Sequence, residues 1–137
     1  MQQFNLNLTD YRLLIVSFFL FMHGFVYFNL SRGVFSTTDS QLGSSFLLGN
    51  VLDKNVLYVL IKSLWLLAGL GFIGIGILLA FTQQQRRTIY IFLLLVSIIG
   101  IVSFTLYWDG ILNNLLNAGL IGAIIDLFVI VGVILFY

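Results

Sequence analysis

Four apolar runs, each long enough to cross a bilayer as a helix, occupy most of this chain. Leu13 to Leu30 contains no acidic or basic residue except His23. Val56 to Phe81 is interrupted only by Lys62, Ile89 to Trp108 has no charge at all, and Ile111 to Tyr137 carries Asp126 alone. About 20 consecutive apolar residues in helical form span the hydrocarbon core. The runs therefore predict an all-α membrane protein, a single domain of 137 residues built as a four-helix transmembrane bundle, with spans at about 13–30, 56–81, 89–108 and 111–137.

Composition agrees. Only 8% of the residues are charged and 61% are hydrophobic, against about 25% charged in an average soluble domain. The net charge of +1 comes from six basic and five acidic residues; no block of like charge exists to hold nucleic acid. Cysteine is absent, which excludes disulfides, thiolate metal sites and thiol redox chemistry. One histidine is too few for a bis-His haem or a His-rich zinc site within one chain. No cofactor or metal is expected, and no nucleophile with its base is visible, so an enzyme is not the expectation. Proline is also absent, so no proline kinks are expected.

The first run is read as a retained span and not as a signal peptide. Arg12 is the only basic residue before it, the run exceeds a signal h-region, and no small-x-small cleavage site follows Leu30. Residues 31–55 form the one sizeable loop, with an apolar stretch from Phe46 to Leu52 that suggests a short interfacial helix. The other links, Thr82 to Thr88 and a few residues around Asp109 and Gly110, are short and make neighbouring helices antiparallel. Arg12, Arg86 and Arg87 lie on one side, Arg32 and Lys54 on the other, with Lys62 just inside the second span. By the positive-inside rule this slight bias puts both termini in the cytoplasm and the 31–55 loop outside.

Ionisable side chains inside a membrane cost a few kcal/mol unless paired or hydrated, which makes His23, Lys62 and Asp126 functional candidates. Helical spacing puts Arg12, Val16, Phe19, His23 and Leu30 on one stripe of the first helix. His23 has two readings, a neutral imidazole that ties helices together or a ligand or proton site. On the second helix Lys62, Trp65, Gly69, Gly76 and Ala80 share an inward stripe, and the step from Gly69 to Gly76 admits a close neighbour. Lys62 either joins that interior or snorkels to the headgroups. Asp126, on a face with Gly119, Gly122 and Ala123, lies too deep to snorkel. It is either protonated or paired across the bundle, and depth favours His23 over Lys62 as the partner. Ser97, Gly100 and Ser103 form a small polar stripe for helix packing on the third helix. Asp109 beside Trp108, continued by Asn113 and Asn117, marks an interfacial rim.

Together these residues resemble the DoxX-like group of small four-helix membrane proteins. The resemblance is carried by His23-Gly24, by Leu64-Trp65-Leu66-Leu67-Ala68-Gly69, by Arg86-Arg87, and by Trp108-Asp109 followed by Asn117. It implies a bacterial plasma-membrane protein, in some members linked to quinone-dependent oxidoreductase systems, with relatives of the wider fold that bind apolar ligands. Asp126 and the long 31–55 loop depart from the family pattern. Three functions compete. One is an accessory protein binding a quinone or lipid in a cavity open to the outer leaflet, lined by His23, Lys62 and Asp126 with Trp65 as an apolar wall. A second is a dimeric proton-coupled transporter using Asp126, and the third is a structural subunit of a larger membrane complex.

Overall fold

The computed structural model describes residues 8–33, 45–81, 86–112 and 119–136, and among them there are four α-helices and no strand. These are α1 (Leu8–Gly33), α2 (Lys54–Phe81), α3 (Arg86–Tyr107) and α4 (Leu120–Phe136). The first three contain stretches long and apolar enough to cross a membrane. The protein is an all-α membrane protein, and its helices pack as an antiparallel bundle in which α1 lies on α2, α2 on α3, α3 on α4, and α4 meets α1 over a shorter stretch. In this cyclic order α1 and α3 face each other diagonally.

Local chemistry sets the helix ends. Asp53 caps α2: its carbonyl accepts the Leu57 N–H at 2.9 Å and its carboxylate accepts the Asn55 N–H at 2.8 Å. At the exit of α3 the Asp109 carboxylate accepts the Ile111 N–H at 2.9 Å, a local turn, while the Trp108 indole donates to the Ile111 carbonyl at 3.0 Å. Helix α4 starts at Leu120, well after the 111 expected from the apolar run, and is 17 residues long. Gly119 precedes it with φ of 96°, a conformation that side chains disfavour, and its carbonyl accepts the Ala123 N–H at 3.1 Å. At 1.5 Å per residue α4 is about 25 Å long, near the short limit for a span.

The apolar stretch at 46–52 forms successive hydrogen-bonded turns and not the expected helix. It is tied to the top of α3 by the Phe46 N–H, which donates to the Trp108 carbonyl at 2.9 Å.

Bulk hydrophobicity does not hold apolar helices together in lipid, so close backbone contact matters. It is provided where α1 crosses α2. A Cβ on Gly24 would lie 2.6 Å from the Gly69 carbonyl oxygen, and one on Gly76 would lie 2.8 Å from that of Ser17. The inward face of α2 is Leu57, Ile61, Trp65, Ala68, Gly69, Phe72, Ile75, Gly76 and Leu79, while Ala80, assigned to that stripe by spacing, is exposed. On α1 the expected stripe needs a larger correction. Val16 and Phe19 are exposed, and the buried line runs through Ser17, Leu20, His23 or Gly24, Tyr27 and Ser31. The helix is apolar all round, so lipid and core sides look alike in its sequence, and the close fit on Gly69 and Gly76 sets its rotation.

Candidate functional site: a buried His–Tyr–Asp cluster

Asp126 is fully buried near the middle of α4. From α1, His23 brings its Nε2 to 2.9 Å from Asp126 Oδ1, and the Tyr27 hydroxyl donates to Oδ2. His23 and Tyr27 are four residues apart, one helical turn, so both project toward the same carboxyl group. Both are buried, at 6% and 2% exposure. This is the geometry that lets a carboxyl group sit at mid-depth: each oxygen has a partner and no charge faces lipid.

The other two helices enclose the cluster. Phe72 of α2 lies edge-on to the imidazole, with ring centres 4.7 Å apart, and stacks on the Tyr27 ring at 6.0 Å. On α3, Gly100 makes room for the carboxyl group. A Cβ there would fall 2.0 Å from Asp126 Oδ2 and 2.5 Å from the Tyr27 oxygen. Gly122 of α4 passes beside Tyr27 and His23 in ordinary contact. All four helices thus meet at one polar point.

The Nε2–Oδ1 hydrogen bond forms either with the imidazole donating to a carboxylate or with the carboxyl group donating to the imidazole. Tyr27 donates to Oδ2 in both cases. What the cluster offers chemically is one proton shared between Nε2 and Oδ1 in a buried setting.

The remaining predicted residues lie elsewhere. Trp65, 2% exposed, packs on Tyr107 with ring centres 4.8 Å apart. It sits two turns of α2, about 10 Å, from Phe72. Lys62 is half-buried and ten residues from Phe72, about 15 Å along the helix; His23, not Lys62, is the partner of Asp126. Asp109 is half-buried in the turn after α3. Asn113 and Asn117 lie outside the described residues. Tyr27 and Gly100 complete the cluster without having been predicted as part of it. The signal for Tyr27 was its spacing of four from His23, and Gly100 was recognised only as a packing residue.

A groove of about 270 Å³ lies between α1, α3 and α4, lined by Val16 and Leu20 of α1, Tyr90 and Leu93 of α3, and Val129, Gly132 and Val133 of α4. Leu20 and Val129 are three residues from His23 and Asp126 respectively, so the groove begins one turn below the polar point. It runs toward the end of the bundle that carries Arg86 and Arg87, and none of His23, Lys62, Trp65 and Asp126, the residues expected around a ligand cavity, lines it. A second groove of about 350 Å³ lies between α2 and α3, lined by residues that include Gly71, Gly74, Thr88 and Val96.

Fold and site together define a multi-pass α-helical membrane protein with a buried His–Tyr–Asp cluster at the centre of its bundle. Comparison with known protein families, characterised proteins and solved structures finds no match to this chain.

Proposed function

We propose that this protein binds a small apolar ligand, a quinone or a lipid, within the membrane, and acts as an accessory protein of the bacterial plasma membrane. The observation that carries this reading is the groove of about 270 Å³ between α1, α3 and α4, ending one turn from His23 and Asp126. Its volume is just below the range of about 300–1,000 Å³ usual for small-molecule sites, and its walls are apolar, with Tyr90 the one lining residue that carries a side-chain polar group. The DoxX-like resemblance supports the same reading. A carrier function has no comparable support, because Asp126 is fully buried with both oxygens engaged.

Gly132 offers a clean test, since it lines the groove and a Cβ there would meet nothing within 4 Å. Gly132→Leu should fill the groove without strain. With a photoreactive short-chain ubiquinone as probe and the full chain in nanodiscs, saturable labelling is expected around Leu93 and Val129. The leucine variant should lose it by at least about tenfold, the effect of roughly 1.4 kcal/mol, with unchanged thermal stability. Equal labelling of both proteins would place the ligand elsewhere and defeat the proposal.

The charge bias favours cytoplasmic termini and an outer 31–55 segment. The chain has no native cysteine, so a single cysteine at Ser40 gives an unambiguous readout. It should react with an impermeant maleimide on intact cells. Reaction only after cell breakage would reverse the orientation.

A further inference from the structure

The seam between α2 and α3 is closed at one point and open at the next. At Gly71 the helices touch, for a Cβ there would lie 2.6 Å from Val96 Cγ2. Three residues on, toward the Arg86–Arg87 end, a Cβ on Gly74 would meet nothing within 4 Å. From Gly71 toward that end runs the groove of about 350 Å³. Ile75 and Ile89, both buried, form its floor, and the exposed Leu70, Leu78 and Phe92 form rims that open sideways, away from the bundle. Thr88, also exposed, lines the far end. This groove shares no lining residue with the one between α1, α3 and α4.

Its extent matches one leaflet. Helix α3 has 22 residues, a rise of about 33 Å, so it crosses the hydrocarbon core of about 30 Å from face to face. Its first turn therefore lies at one membrane face and Val96, ten residues after Arg86, near the midplane. From Thr88 to Val96 the groove covers about 12 Å of helix rise, against about 15 Å for half the core. Charge at the open end is one-sided. The chain carries Arg12, Arg86 and Arg87 there and a single acid, Asp10. Arg87, exposed and adjacent to Thr88, has no acidic partner among the described residues.

From these observations we infer that the α2–α3 groove is a binding site for an anionic phospholipid, with one acyl chain lying along Gly74 and the phosphate beside Thr88 and the first turn of α3. The chain fills the space that the missing side chain of Gly74 leaves between the rims, and its length suits a groove that ends at mid-membrane. The headgroup then stands at the membrane face, where basic residues attract anionic lipid and Thr88 offers a hydroxyl donor. A zwitterionic lipid supplies the same tail without the net charge. The site is separate from the groove proposed above for a quinone or lipid, and the inference stands without that reading.

The test uses the full chain in phosphatidylcholine nanodiscs doped with a trace of one of two probes, phosphatidylglycerol or phosphatidylcholine carrying the same mid-chain diazirine. Labelling of residues 70–75 and 92–96 is expected to be about fivefold stronger with phosphatidylglycerol, the effect of about one basic residue near the surface, and to fall when unlabelled phosphatidylglycerol is added. The double variant Arg86→Gln, Arg87→Gln should bring the two probes level. Gly74→Leu, which has room for its side chain, should lower labelling by both probes severalfold at unchanged thermal stability. The arginine comparison decides the matter even if the leucine variant is not recovered. Equal labelling by the two probes in the wild type would reveal an ordinary lipid contact and overturn the inference. So would a preference that survives loss of both arginines, or labelling that Gly74→Leu leaves intact. A groove labelled by neither probe also overturns it, and a disulfide between two Gly74→Cys chains would then assign the groove to a second copy.

Discussion

Gly100→Ala is expected to destabilise the bundle by about 3 kcal/mol, at the top of the range for inserting one methyl group into a packed interior. The added Cβ would stand 2.0 Å from Asp126 Oδ2 and 2.5 Å from the Tyr27 oxygen, and neither can yield freely. Each holds the other, and His23 holds the opposite carboxyl oxygen. Relief requires α3 to move away from α4 or the cluster to break. The sign is informative, because alanine is the better helix former by about 1 kcal/mol where nothing intrudes. Gly74 supplies that control: a Cβ there meets nothing within 4 Å, so Gly74→Ala should leave stability unchanged or raise it. Reversible unfolding of both variants in mixed micelles measures the difference, and a Gly100→Ala protein as stable as wild type would show that the carboxyl group does not rest against α3.

Removing the carboxyl group is the second large perturbation. Hydrogen bonds within membranes average about 0.6 kcal/mol in double-mutant cycles, so the bonds alone account for little. The larger cost lies in what Asp126→Ala leaves behind: a cavity, an unpaired imidazole nitrogen and an unpaired tyrosine hydroxyl, each buried orphan costing about 1–3 kcal/mol. A loss of about 2–4 kcal/mol is expected. Asp126→Asn keeps the volume and offers one acceptor and one donor group, so it should cost only about 1 kcal/mol. The order wild type, asparagine, alanine is checked by the same unfolding assay. An asparagine variant with wild-type stability that abolishes pH-driven uptake in proteoliposomes would instead identify Asp126 as a proton carrier.

The helical class was legible because charge is so costly in lipid that its absence over some 20 residues leaves few alternatives. The same economy hid the start of α4: from Ile111 to Tyr137 no charge but Asp126 appears, so nothing in the apolar pattern marks Gly119 as the break. It also hid the rotation of α1. In a water-soluble helix Val16 and Phe19 would be assigned to the core, but in lipid the outer surface is equally apolar, and the two are exposed. The polar residues were better guides. Asp126 and His23 were matched by depth, and Ser97, Gly100 and Ser103 by their spacing of three, and all five are buried in the structure. Tyr27 was the weak point, for its ring conforms to an apolar helix while its hydroxyl reaches the carboxyl group. The groove depends on how three helices splay, a property of packing that no single run of sequence encodes.

Whether α1 side chains bind Asp126 in the bundle interior is tested most directly by a double-mutant cycle between Tyr27→Phe and Asp126→Ala. Tyr27→Phe removes only the hydroxyl that donates to Oδ2. With Asp126 present it should be destabilising. With Asp126 already replaced by alanine it should be neutral or favourable, since it then removes a buried group that has lost its acceptor. The coupling between the two positions is predicted at about 1 kcal/mol or more, whereas additive effects with no coupling would contradict the cluster.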